Sequence, residues 1–109
     1  MTSYFIERAE CSQHTIFPGV EIFTACGERM MLSFVDLQPN SVVEPHQHPH
    51  EQVGMLLEGE LRFTIGGETR LVRPGDMWRI PGGVEHTCAA GEAGAKAIDV
   101  FSPVREEYK

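Results

Sequence analysis

Residues 40–59 read NSVVEPHQHPHEQVGMLLEG, and the decisive part is PHQHPHEQ at 45–52. His46 and His48 are one residue apart. In an extended strand side chains at i and i+2 leave from one face, so the spacing predicts two neighbouring imidazoles. Such a pair is the beginning of a divalent-metal site. Gln52 follows with the same parity, although the turn at Pro49 weakens that count. Beyond it, 53–57 is apolar, Glu58 and Gly59 mark a turn, and Leu61, Phe63 and Ile65 alternate with Arg62 and Thr64. The pattern predicts a hairpin of 53–57 with 61–65, and Gly66 and Gly67 predict a second tight turn.

Turn signals of this kind recur along the chain, at Pro18-Gly19, Gly27, Pro39-Asn40, Pro74-Gly75, Pro81-Gly82-Gly83 and the 91–94 stretch. Few uninterrupted stretches reach the length of a helix. Strands are predicted at 20–25, 30–37, 71–72, 77–80 and 95–101, an antiparallel sandwich or barrel. Helical or frayed structure is expected only in the first few residues and at 105–109. With 109 residues, one domain over 1–109 is expected.

Nine Lys and Arg against sixteen Asp and Glu give a net charge of −7. That surface repels nucleic acid and anionic membranes, and an anionic small substrate needs locally gathered cations. Glu7, Arg8 and Glu10 interrupt the N-terminus, so no signal peptide is read, and no apolar run approaches a membrane span. Cys11, Cys26 and Cys88 are odd in number and widely spaced. They read as reduced thiols of a cytoplasmic protein.

A second motif, GDMWRIPGGVEH, occupies 75–86 and brings a third imidazole, His86. Together the two segments resemble the paired motifs of the cupin superfamily. His46, His48 and Gly59 fit the first motif, and Gly75, Pro81, Gly83 and His86 fit the second, within 40–59 and 75–90. Gln52 stands where Glu is usual, Asn40 where the first Gly is usual, and Ala90 where Asn is usual. Asn tolerates left-handed φ, so its replacement of Gly is mild. The resemblance implies an all-β, single-domain, jelly-roll-like antiparallel barrel. It also implies one divalent metal at the mouth, bound by His46, His48, Gln52 and His86. The alternative for Gln52 is a hydrogen bond nearby, leaving three ligands. As a ligand, a neutral amide leaves the ion its full charge and strengthens it as a Lewis acid.

The C-terminal stretch AKAIDVFSPVREEY sets Asp99 between Ile98 and Val100. By parity it either faces inward with Ala97 and Phe101, where burial would raise its pKa, or faces outward or pairs with an Arg. DVFSPVREEY, with PHEQVGMLLEGELRFTIGGE, resembles the KdgF-type cupins, the pectin-degradation proteins. That resemblance implies metal-dependent opening of cyclic 4,5-unsaturated uronate monomers, left by pectin or alginate lyases, to the linear 5-keto-4-deoxyuronate. Asp99 would move protons, Arg105 would bind the substrate carboxylate, and Phe101 would pack on the sugar. His50 is a possible further contact. The metal could be nickel, zinc, manganese, iron or cobalt, and a homodimer is expected. The alternatives are another small-cupin enzyme (a dioxygenase, an isomerase or a dimethylsulfoniopropionate lyase), a sugar-binding cupin without activity, and a metal-free barrel.

Overall fold

A computed structural model describes residues 3–109; the expectation for the first few residues falls partly on 1–2, outside the described residues. Eight strands form the fold: β1 Ser12–Phe17, β2 Val20–Cys26, β3 Met31–Leu37, β4 Val42–His46, β5 Glu51–Ile65, β6 Glu68–Val72, β7 Met77–Ile80 and β8 His86–Ser102. Short 3-10 turns lie at Arg8–Glu10 and Glu106–Tyr108. The sheet order is β1-β2-β3-β8-β5-β6, with β4 also on β8 and β7 also on β5, and every pairing is antiparallel.

The alternation read in the sequence gives the inner strands one buried face. In β3, Met31, Ser33, Val35 and Leu37 are buried while the residues between them are not. The main core gathers Val20, Ile22, Val35, Leu37, Leu56, Leu61, Phe63, Trp78, Ile80 and Ala97 between the walls. Burial of such side chains contributes on the order of 1.5–3 kcal/mol each. Among the described residues no helix is long and apolar enough to cross a membrane.

Three expectations are corrected. Glu58 and Gly59 do not close a hairpin: β5 runs through them as one strand of 15 residues. The 91–94 stretch is not a turn either, since β8 runs through it for 17 residues. The two strands pair from Glu51↔Ser102 to Ile65↔His86, with register shifts on both sides of Glu58 and Gly59. There the pair bends. Gly59 has φ +82° and Gly94 φ +76°, and a Cβ on Gly59 would lie 2.0 Å from the Gly94 carbonyl oxygen. A glycine inside a strand therefore marks a close backbone crossing here, not a chain reversal. The turn at Gly66 and Gly67 does join β5 to β6. Third, His48 is not on a strand: β4 ends at His46, and His48 lies in the loop that follows.

The bend lets β5 and β8 serve both walls of the barrel. One part of β8 pairs with β3 and the other with β4. Strand register then sets two inward rows across one wall. The first runs Cys26, Met31, Phe101, Gln52, Ile80; the next, deeper, runs Thr24, Ser33, Asp99, Gly54, Trp78.

Candidate metal and acid–base site

His46 and His86 are direct cross-strand partners on β4 and β8, with ring centroids 4.2 Å apart. His48 reaches them from the loop, 5.8 Å from the His46 ring and 5.0 Å from the His86 ring. The loop is held by the second motif, whose Gly83 N–H donates to the His48 carbonyl at 2.8 Å. The two sequence motifs thus touch through main chain, and that contact replaces the strand parity expected of His48. One potential ligand atom from each of the three imidazoles lies within 4.8 Å of the other two.

Each ring is oriented from behind. His46 Nδ1 lies 2.9 Å from the Glu44 carbonyl, His48 Nδ1 3.0 Å from the His50 carbonyl, and His86 Nδ1 3.0 Å from the Val84 carbonyl. A carbonyl only accepts, so each Nδ1 carries a proton, and Nε2 is the atom whose lone pair each ring can offer to a metal. Burial, aided by Arg105 and His86, lowers the His48 pKa to about 4. Burial also lowers that of His86. Both rings are therefore neutral at pH 7, the state a metal requires.

Gln52 supplies the test of fit. Its Oε1 lies 3.1 Å from His48 Nε2. The Gln52 amide also helps to lower the Asp99 pKa, and the structure turns its oxygen to the His48 side. With His48 protonated at Nδ1, the close pair is two acceptors, and two lone pairs at that distance are satisfied by a shared cation, not by each other. Three imidazoles and one amide oxygen fit a divalent ion, and as neutral donors they leave its charge uncancelled.

Asp99 is 8% exposed and faces inward from β8. Burial raises its pKa to about 6, against the lowering effect of hydrogen bonds from Gln52 and Trp78 and of the Arg105 charge. Trp78 Nε1–H donates to Asp99 Oδ1 at 2.9 Å. Neither Trp78 nor Gly54 was singled out from the sequence. A glycine inside a predicted strand was the available signal, because it marks a close approach. A Cβ on Gly54 would lie 2.1 Å from Asp99 Oδ1 and 2.4 Å from Trp78 Nε1. Gly54→Ala is therefore expected to separate the acid from the indole. Overpacking of this kind costs about 1–3 kcal/mol, read as a lower unfolding midpoint together with lost activity.

Phe101 and Arg105 complete the mouth. Phe101 is buried, edge-on to His48 at 5.6 Å. The Arg105 guanidinium lies 5.1 Å from the Phe101 ring centre and 4.5 Å from that of Tyr108. Glu107 holds it from outside at 2.9 Å. The C-terminal residues thus form part of the site wall, and the Tyr108 carbonyl accepts a hydrogen bond from the Thr24 hydroxyl. His46, Gln52, His86, Asp99, Phe101, Arg105, Trp78 and Tyr108 all line one cavity of about 290 Å³. His50 is not among its lining residues. Cys88 is, but burial pushes its thiol up to about 12, leaving it protonated.

The Cupin domain family matches residues 33–101. The chain belongs to the cupin family. Its likeness to KdgF proteins extends over nearly the whole cupin chain. It is 29% identical over 99% of both chains to the pectin degradation protein KdgF of Dickeya dadantii. It is 30% identical to the solved structure of KdgF from a Halomonas species, with a TM-score of 0.86 over 97% of this cupin and 98% of that chain. It is also 31% identical over 80% of its length to the dimethylsulfoniopropionate lyase DddW of Ruegeria pomeroyi, of which it spans 55%.

Proposed function

We propose that this cupin opens the ring of a 4,5-unsaturated uronate monomer and delivers the linear 5-keto-4-deoxyuronate. The observation that carries the proposal is Asp99, an inward acid that lines one cavity with Gln52, His46 and His86, where His48 joins the two imidazoles in a three-histidine cluster. The full-length likeness to KdgF supports it. So does size, because small-molecule pockets run from about 300 to 1,000 Å³. A cavity of about 290 Å³ suits one sugar ring, not an oligosaccharide.

The substrate is a cyclic hemiacetal with a carboxylate beside its C4–C5 double bond. A proton leaves the anomeric hydroxyl, the C1–O5 bond breaks to an aldehyde, and the released electron pair becomes an enolate at O5. A proton added at C4 completes the ketone, so one proton leaves and one returns, with no redox change. His46, His48, Gln52 and His86 would hold a divalent ion, which would supply positive charge against the developing oxyanion. Asp99, with a pKa of about 6, is poised both to accept the hydroxyl proton and to return one to carbon near neutrality. Arg105 binds the substrate carboxylate, the local cation that an acidic protein needs. Phe101 packs on the sugar face.

The test is incubation of the metal-loaded protein with an unsaturated uronate. Loss of the conjugated ultraviolet band, with the 5-keto product seen by NMR, is expected; an unchanged spectrum refutes the proposal. Arg105→Ala should raise KM about tenfold or more with a smaller effect on kcat, since the carboxylate is present in ground and transition states alike. Likeness to DddW favours one second reading, a lyase, which acrylate release from dimethylsulfoniopropionate would establish.

A further inference from the structure

The geometry points to Trp78 as the positioning residue of the acid: its indole N–H engages Asp99 Oδ1 and leaves Oδ2 as the oxygen that exchanges protons with substrate. This rests on the ring-opening reading above.

Four observations converge on it. The bond has ordinary N–H···O length at 2.9 Å, and both residues are buried, at 8% exposure each. Trp78, Gly54 and Asp99 occupy consecutive strands of one inward row, so the indole and the carboxylate meet over the bare α-carbon of Gly54. The indole is itself fixed by the Phe63 ring, 5.0 Å away. Phe63 and Trp78 also line a second cavity, on the side of Arg70, Asp76 and Arg79, so the two rings stand between that space and the acid.

An indole nitrogen donates and never accepts. It cannot take a proton from Asp99 or substitute for it. What it does is hold one carboxylate oxygen. That bond orients the carboxyl plane, and a proton donor misplaced by about 1 Å loses on the order of a hundredfold in rate.

The chain contains one tryptophan, so its indole resonance is identified without assignment. In the metal-loaded protein, Asp99→Asn should move the indole N–H cross-peak in a ¹H–¹⁵N spectrum; an unmoved peak overturns the contact. Trp78→Phe should lower kcat on the unsaturated uronate tenfold to a hundredfold, with KM within about twofold and metal content unchanged. Should Trp78→Phe fold poorly, replacing the indole N–H by sulfur, through incorporation of benzothienylalanine at this single position, removes the donor at constant shape. The same fall in kcat is expected. Unchanged kcat, or a change confined to KM, overturns the positioning role. If wild-type protein turns over no unsaturated uronate, the ring-opening reading fails, while the indole spectrum still decides the contact.

Discussion

Asp99→Asn is expected to give a protein that keeps its metal, loses turnover by a thousandfold or more and unfolds at a higher temperature. The two effects share a cause. Burial lifts the Asp99 carboxyl from 3.8 to about 6. A shift of about two units costs the folded state roughly 3 kcal/mol at pH 7, where the carboxylate must be ionised inside the barrel. Asn removes the charge and retains an oxygen for the Trp78 N–H. Up to that amount of stability should return, while the group that moves protons is gone. Near-normal turnover in Asp99→Asn would show that the acid–base role belongs elsewhere.

The sign of the pH dependence separates Asp99 from its histidine neighbours in the metal-free protein. A carboxyl with a raised folded pKa favours the folded state at low pH, and the advantage disappears as pH rises from about 4 through 6. An imidazole with a lowered folded pKa acts in reverse. His48, lowered from 6.5 to about 4, contributes stability above pH 6.5 that is lost on acidification towards 4, and His86 shifts in the same direction. The slopes oppose each other between pH 4 and 6, so Asp99 offsets part of the histidine slope and the wild-type unfolding midpoint should rise less steeply there than in a variant without the acid. In Asp99→Asn only the histidine slope remains. Its midpoint should rise with pH across that window; a wild type as steep as the variant would contradict the burial energetics.

The other large effect is expected at His48. His48→Ala removes one of three imidazoles and leaves Gln52 Oε1 without its facing partner. Loss of a partner that merely orients a ligand lowers metal affinity about 10–100-fold, so loss of the ligand itself should exceed a hundredfold and abolish activity with it. His50→Ala is the control. His48 Nδ1 bonds the main-chain carbonyl of residue 50, which the substitution leaves in place. Metal content after dialysis checks both. Chelation should lower the unfolding midpoint of wild type and His50→Ala but not of His48→Ala, since bound metal at a hundred times its Kd stabilises by about 2.7 kcal/mol. Full activity of metal-free His48→Ala would refute the metal role.

Much of this arrangement was legible because strands repeat every second residue. Parity offered an inward Asp99 together with Ala97 and Phe101, and all three are buried. It brought His46 and His48 together for an incorrect reason, since His48 sits in a loop fastened by main-chain contact with the second motif. Local signals misled at Gly59 and Gly94, where glycine serves a crossing between two long strands instead of ending either. The strand β1 was not foreseen. It reads SQHTIF, with little apolar alternation, and its burial is partial because it lies at the sheet edge. Trp78 and Gly54 were invisible as a pair because their meeting with Asp99 depends on the order β7-β5-β8, which no local pattern encodes.

The stacking of Arg105 between Phe101 and Tyr108 has a practical consequence for anyone who handles this protein. Tyr108 is anchored by its ring contacts, by one hydroxyl from β2 and by its own N–H on the Arg105 carbonyl. Purification handles, fluorescent labels or fusion partners joined after Lys109 would pull directly on the guanidinium expected to grip the substrate. Kinetic comparisons between preparations tagged and untagged after Lys109 should be made with that coupling in view.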